Sequence, residues 1–228
     1  MSARFTDVWF DFFGTLVEYQ PSVHTGDGTA LTAPQAFAAR HGSRADARTA
    51  WDRAWAEHES DAVATGREYS LSQVAARFAA LIDVDASVSD RELLIDEYLR
   101  DWIVPVRVRD GAREALTTLV KDHRVIVVSN THHERLVPDL LARFDLDAHV
   151  HATVLSVSEG WRKPHPNLFA AALAKYPVDP SRVAFVGDTW DADVEGPRRA
   201  GMSAFYVGAP GPSRPALALL DLPAHLSA

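Results

Sequence analysis

The 228 residues carry 31 acidic against 23 basic side chains, a net charge of -8, which argues against a basic face for nucleic acid or an anionic membrane surface. With 47% hydrophobic residues, including six Trp and ten Phe, the chain can fill a substantial core and suits one large α/β domain or a core with a smaller insert. It has no cysteine, which excludes disulfides, thiolate metal ligands and thiol nucleophiles and suits the cytoplasm.

Met1 to Phe10 shows no charged segment followed by a long apolar one, and no stretch approaches the roughly 18 apolar residues of a membrane span. The first predicted element is an aromatic and β-branched run ending at Phe10, closed by Asp11-Phe12-Phe13-Gly14-Thr15-Leu16. It reads as a strand buried on both faces. Asp11 then stands at its carboxyl end, where open α/β sheets bind ligands. An Asp before a turn can equally hydrogen-bond its own backbone.

A polar, Gly-containing stretch from Glu18 to Thr32 follows, and then about 70 residues with helical periodicity only. Ala47, Trp51, Ala54, Trp55 and His58 share one face. Leu71, Val74, Ala75, Phe78, Leu81 and Ile82 share a second, and Leu94, Ile95, Tyr98, Leu99 and Trp102 a third; each set marks an amphipathic helix. Trp51 and Trp55 are read as core of this block. The character changes near Pro105. From Asp110 the pattern alternates: a helix through Leu119, a strand Val125–Val128, a helix, a strand near Val150 to Leu155, a helix over Leu168 to Ala174, a strand Val183–Val186, another helix, and a strand Ala204–Val207. Such alternation predicts a parallel sheet with crossover helices. The proline-bearing tail from Gly208 should wrap loosely with few regular hydrogen bonds. The chain thus divides into an α/β core, a doubly wound parallel sheet from residues 1 to 17 and 105 to 228, and an all-helical insert at 18 to 104, set over the strand ends.

Three later strands also end in polar clusters. Val128-Ser129-Asn130-Thr131 precedes a predicted helix from His132, with Thr131 and Glu134 as a capping box; a hydroxyl and free N–H groups there could receive an anion, or simply cap the helix. In Trp161-Arg162-Lys163-Pro164-His165-Pro166, Lys163 precedes a Pro at the start of the next helix. In Gly187-Asp188-Thr189-Trp190-Asp191-Ala192-Asp193, three carboxylates crowd into six positions. They would repel one another unless a divalent cation sat among them, although a helix N-terminus also favours acids.

Together these four clusters, in this order, resemble the haloacid dehalogenase-like hydrolase superfamily (HAD), whose core is Rossmann-like and many of whose members carry a cap where the helical insert lies. Asp11-Phe12-Phe13-Gly14-Thr15 resembles the first motif, Ser129-Asn130 the second, Lys163-Pro164 the third and Gly187-Asp188 through Asp193 the fourth. The resemblance implies Asp11 as a nucleophile forming a covalent aspartyl intermediate. Ser129, the backbone at Asn130 and Lys163 would hold the transferred group and offset its charge, with Thr15 fixing the turn and touching that group. Mg²⁺ would be bound by Asp11, the carbonyl of Phe13 and Asp188, with Asp193 orienting a metal-bound water.

One position departs from the pattern. Phosphatases of this superfamily carry a second Asp two positions after the nucleophile, as general acid and base, and here that residue is Phe13. A positioned acid or base contributes about 10² to 10⁴ in rate. The resemblance therefore implies a Mg²⁺-dependent phosphatase of a small organic phosphate, slow towards poor leaving groups. The alternatives are a 2-haloacid dehalogenase-like hydrolase, whose relatives usually place Tyr at this position and work without metal, and a catalytically weak phosphometabolite-binding protein. A dehalogenase would need an Arg to receive halide, for which Arg40, Arg48 and Arg53 are candidates; each also reads as a solvated helix residue. His132 and His133 are read as exposed helix-start residues, either able to substitute as acid, and Asp191 as a solvated neighbour. His165 stands where relatives often cap the helix with Asp. The expected partner is a small-molecule substrate, with no nucleic acid and no membrane, and nothing specifies an oligomeric state.

Overall fold

The computed structural model describes residues 4–19 and 31–227. The greater part of the polar Glu18 to Thr32 stretch lies outside them. In chain order the elements are β1 (Asp7–Phe10), β2 (Val17–Glu18), α1 (Ala33–Arg40), α2 (Ala47–Thr65), α3 (Leu71–Leu81), α4 (Val88–Trp102), β3 (Arg107–Val108), α5 (Ala112–Leu119), β4 (Arg124–Ser129), α6 (Leu136–Arg143), β5 (Ala152–Leu155), α7 (Ser156–Glu159), α8 (Pro166–Lys175), β6 (Val183–Gly187), α9 (Gly196–Arg199), β7 (Ser203–Tyr206) and α10 (Leu222–Ser227). The chain forms two compact units, Met1–Tyr19 with Arg107–Ala228, and Gln20–Val106.

The first unit is built on a five-stranded sheet in the order β5-β4-β1-β6-β7, parallel throughout. This is the doubly wound α/β sheet expected from the sequence. β1 is central because it is apolar all round: Val8, Trp9 and Phe10 are fully buried, as suits a strand covered on both faces. Alternation sends Trp9, Ile126, Val128 and Phe185 into one core layer with Leu168 and Phe169 of α8, and Val8, Phe10, Val125 and Val127 to the opposite face, where they too are fully buried. At the amino end of β1, the buried Asp7 carboxylate accepts from Arg124 Nε at 2.6 Å and from Trp9 Nε1 at 3.4 Å. β1 lies between β4 and β6, where the winding reverses, and the carboxyl ends of β4, β1 and β6 all meet at this switch point. A second, two-stranded sheet pairs β2 with β3, an element without a sequence signature because each strand has only two residues.

Two expectations are corrected here. The helix after β4 begins at Leu136, with Arg135 as its N-cap, and not at His132. Thr131 is held elsewhere: its N–H donates to Ser156 Oγ at 2.9 Å and its carbonyl accepts from that hydroxyl at 3.2 Å. The later start also puts Pro138 in the first turn, where a missing N–H costs nothing, instead of in the interior. The tail has few regular hydrogen bonds only in its proline-bearing part, where Gly211 and Arg214 bond each other. Leu217 N donates to Tyr206 O at 2.8 Å, and Leu219, Leu222 and Leu226 are buried where the chain ends in α10.

The second unit consists of α1 to α4 around Phe37, Trp51, Phe78 and Leu94. Trp51 packs edge-on against Phe78 at 5.3 Å and lies 5.0 Å from Tyr98, so it is core, as read from the spacing. The helix starts are encoded locally: Asp46 accepts from Arg48 N and Thr49 N, and Ser70 and Ser87 are capping-box residues with Gln73 and Asp90. Arg40 forks onto Glu97 at 2.9 Å and Arg53 pairs with Glu57 at 2.8 Å, which suits the reading of both as helix-surface residues. No helix among the described residues is long and apolar enough to cross a membrane.

Candidate active site

The site forms where β1, β4 and β6 end. Asp11 follows β1 directly, and its N–H still donates to Val186 O at 2.9 Å, so the sheet ladder fixes the backbone that carries it. The chain then turns tightly: Leu16 N and Val17 N both donate to Phe12 O, and Gly14 N donates to Val17 O at 2.7 Å. Gly14 adopts φ +84°, a left-handed conformation that glycine adopts without strain. A Cβ there would lie 2.3 Å from Asp188 Oδ2, so the glycine also lets the turn press on that carboxylate. Thr15, fully buried, points its hydroxyl at Asp11 Oδ2 (3.2 Å) and Asp188 Oδ1 (3.0 Å).

Lys163 enters from the loop before α8, across a cis peptide bond to Pro164. Its Nζ lies 2.6 Å from Asp11 Oδ1 and 2.8 Å from Asp193 Oδ1, and 5.3 Å above the Phe185 ring. The Asn130 side chain fixes the lysine backbone on both sides, accepting from Lys163 N at 2.8 Å and donating to Lys163 O at 3.0 Å. The resemblance pointed to the backbone at this position; the work of the amide side chain had no local signal. Ser129 ends β4, fully buried, with its hydroxyl donating to Asn130 O at 3.2 Å. Asp193 sits in a π-helical turn, Trp190–Glu195, a feature frequent at functional sites. Its N–H donates to Thr189 O at 2.7 Å and its Oδ2 accepts from Thr189 N at 2.9 Å. Gly187 makes room for it, since a Cβ would come within 2.3 Å of Asp193 Cβ.

Asp11, Asp188 and Asp193 thus converge, each offering a carboxylate oxygen within 4.8 Å of the others. The third acid of the Asp188 to Asp193 segment, Asp191, points away to an exposed contact with Arg199 at 3.6 Å. Burial raises the Asp11 carboxyl above its ordinary range against the pull of Lys163, and Asp188 adds to the rise. Burial likewise lifts Asp193 to about 6. It also raises Asp188, partly offset by the Thr15 hydrogen bond and reinforced by Asp193. For Lys163 burial works downwards, but Asp11 and Asp193 outweigh it and hold the ammonium raised. One ammonium therefore faces three buried or half-buried carboxylates.

The donor set fits Mg²⁺. It is all oxygen, and opposite ligands of an octahedral Mg²⁺ stand about 4.2 Å apart, close to the 4.8 Å within which the three oxygens gather. The unneutralised charge is what such a cation would remove.

Phe13 turns its ring into an aromatic file, edge-on to Phe12 at 5.0 Å and to Tyr19 at 5.5 Å. Tyr19, which no motif marks, has its phenol raised by burial and then by the charges of Asp188 and Asp11, which places it in the field of the cluster. His165 serves as N-cap of α8, its Nδ1 accepting from Asn167 N at 3.2 Å while its ring stacks on Trp161 at 4.0 Å. That local role accounts for a histidine there.

A family model, haloacid dehalogenase-like hydrolase, matches residues 8–201. The bovine haloacid dehalogenase-like hydrolase domain-containing protein 3 is 36% identical over 127 residues, 54% of this chain and 50% of that protein. Glyceraldehyde 3-phosphate phosphatase of Pyrococcus furiosus is 29% identical over 96 residues, 42% of this chain and 40% of its own. The chain spans about half the length of the curated relatives it matches. Among solved structures, a 2-haloacid dehalogenase from Pseudomonas syringae superposes with TM-score 0.72 at 21% identity, over 97% of this chain and 98% of that one. A HAD hydrolase of Bacillus subtilis bound to magnesium gives 0.61 at 19% identity, over 99% and 100%; both likenesses are of fold. The match over most of the chain, falling on the strand ends that gather Asp11, Lys163, Asp188 and Asp193, means that the chain belongs to the haloacid dehalogenase-like hydrolases.

Proposed function

We propose that this chain is a Mg²⁺-dependent phosphatase of a small organic phosphate, with Asp11 as its nucleophile. The observation that carries the reading is the convergence of Asp11, Asp188 and Asp193, with Lys163 as the one ammonium bonded to them among the described residues. Three carboxylate oxygens gathered beside one ammonium suit a divalent cation, which halide displacement does not require. The phosphatase named among the relatives and the magnesium-bound structural neighbour support it.

In this reading Asp11 attacks phosphorus, the P–O bond to the leaving group breaks, and an aspartyl phosphate forms; water then attacks the same phosphorus and returns the carboxylate. Lys163 holds Asp11 oriented and pulls against the rise that burial imposes on its carboxyl and, with Ser129 and the backbone at Asn130, offsets charge on the phosphoryl oxygens. Thr15 fixes the Asp11 and Asp188 carboxylates to one hydroxyl. Mg²⁺, held by Asp11, the Phe13 carbonyl and Asp188 with Asp193 beside them, would neutralise the phosphoryl charge. With Phe13 in place of an acid, the leaving group departs with little protonation, which favours acyl phosphates and other activated esters.

Phe13 also supports a second reading, 2-haloacid dehalogenation, since halide leaves without a proton. One screen separates the two: phosphate esters, acyl phosphates and 2-haloacids, each assayed with Mg²⁺ and with EDTA. Phosphate release that needs Mg²⁺ and disappears in Asp11→Asn is expected. Halide release that persists in EDTA would replace the phosphatase reading, and ligand-dependent thermal stabilisation without turnover would replace both with a binding role.

A further inference from the structure

Arg109 lies outside every motif of the sequence, yet it is tied to the candidate site at three points. Its backbone N–H donates to Leu16 O at 3.0 Å. Its guanidinium donates from one nitrogen to Gly14 O at 2.6 Å and from the other to Val207 O at 2.5 Å. The two carbonyls belong to segments that press on the same residue from different sides. Gly14 abuts the Asp188 carboxylate, where a Cβ would lie 2.3 Å from Oδ2, and Thr15 beside it donates to Oδ1. Gly208, next to Val207, abuts the Asp188 backbone, where a Cβ would lie 2.4 Å from its carbonyl oxygen. A planar guanidinium can serve two carbonyls at once from separate nitrogens; a lysine ammonium lacks that fixed fork.

We infer that Arg109 is a positioning residue: it clamps the Gly14–Thr15 turn and the Val207–Gly208 segment around Asp188 and thereby sets the aim of that carboxylate towards Mg²⁺. The metal part rests on the function proposed above; the clamp does not. Asp188 is held by the Thr15 hydroxyl, by its own backbone N–H and by contact, while Lys163 acts on it only through space. Its direction therefore depends on how firmly the two segments are kept closed.

The test uses the full chain, stripped of metal, as wild type, Arg109→Met and Arg109→Lys. Titration calorimetry with Mg²⁺ alone should show the dissociation constant raised at least tenfold in Arg109→Met and by an intermediate factor in Arg109→Lys. Hydrogen exchange in the absence of metal should quicken at residues 14–17 and 207–208 while α8 keeps wild-type protection. If Arg109→Met does not fold, Arg109→Lys carries both measurements. Unchanged exchange in those segments, or quickened exchange with wild-type Mg²⁺ affinity, would overturn the inference. A wild type that binds no Mg²⁺ would remove the metal reading, and exchange alone would then decide the clamp.

Discussion

Lys163 Nζ rests 2.6 Å from Asp11 Oδ1 across 152 positions of sequence, and the same ammonium is the one cation that Asp193 contacts among the described residues. Both partners are buried, so the lysine compensates desolvated charge. Removing one member of a buried ionic set costs about 3–5 kcal/mol, because its partners stay behind unpaired. Lys163→Met should therefore lower metal-free stability by about that amount, measured by urea unfolding in EDTA, and should abolish turnover. The loss should shrink when Mg²⁺ is added, because a cation takes over part of the neutralisation.

Asp193 sets a pH dependence. Its carboxyl is lifted by burial to about 6 from 3.8, so the folded chain holds this proton more tightly than the unfolded one. The associated stability is complete below the unfolded value and is lost as pH rises through about 6. In EDTA, the thermal midpoint of the wild type minus that of Asp193→Asn should grow as pH falls from about 7 towards about 5, followed by scanning calorimetry. A difference that does not move with pH would contradict the burial of an ionisable Asp193.

Two glycines separate backbone strain from site disruption. Gly14 and Gly42 both have positive φ, +84° and +68°, so an alanine is strained at either, by roughly 1 kcal/mol. At Gly42 nothing lies within 4 Å of the added Cβ, whereas at Gly14 the Cβ meets the Asp188 carboxylate at 2.3 Å. Gly42→Ala should lose a few degrees of thermal midpoint and no activity. Gly14→Ala should lose about two orders of magnitude in kcat/KM, equivalent to about 2.7 kcal/mol of transition-state stabilisation. Steady-state kinetics on the two proteins decides it.

Phe13→Asp tests the aromatic departure. If the position lacks only an acid, the substitution should raise turnover of a poorly activated phosphate ester by up to about 10²-fold, with little gain on an acyl phosphate. The ring packs against Phe12 and Tyr19, so a fall on both substrates would mean that the aromatic file itself shapes the site.

The parts of the site legible in the sequence are those that sit where a buried strand stops. Asp11, Ser129 and Asp188 each follow a run of apolar residues, and period and composition mark such runs. Lys163 could be placed only through the resemblance of its motif to the family pattern, and Asp193 through the crowding of three carboxylates after a buried strand together with that resemblance. What stayed hidden was set by contacts remote in sequence. The Thr131 and Glu134 pair fits a capping box locally, but Ser156 takes both backbone groups of Thr131, and no window around Thr131 contains Ser156. Asn130 as the clamp on Lys163, Arg109 as the tie between two turns and Tyr19 in the field of Asp188 are of the same kind. Each acts across the fold, and none carries a periodic or spacing signal of its own.

The central place of β1 has a consequence for the order in which the molecule can come into being. Asp7 to Phe10 pair with Arg124 to Val127 on one edge and Val183 to Val186 on the other, so on a ribosome this strand emerges before either neighbour and waits for both. Its apolar run, unpaired, is a surface for a chaperone or for misassociation. The helical unit, whose contacts are local, can close meanwhile. Asp11 is thus made well before the residues it faces, with no ammonium opposite it until Lys163 has followed and no gathered carboxylates until Asp193.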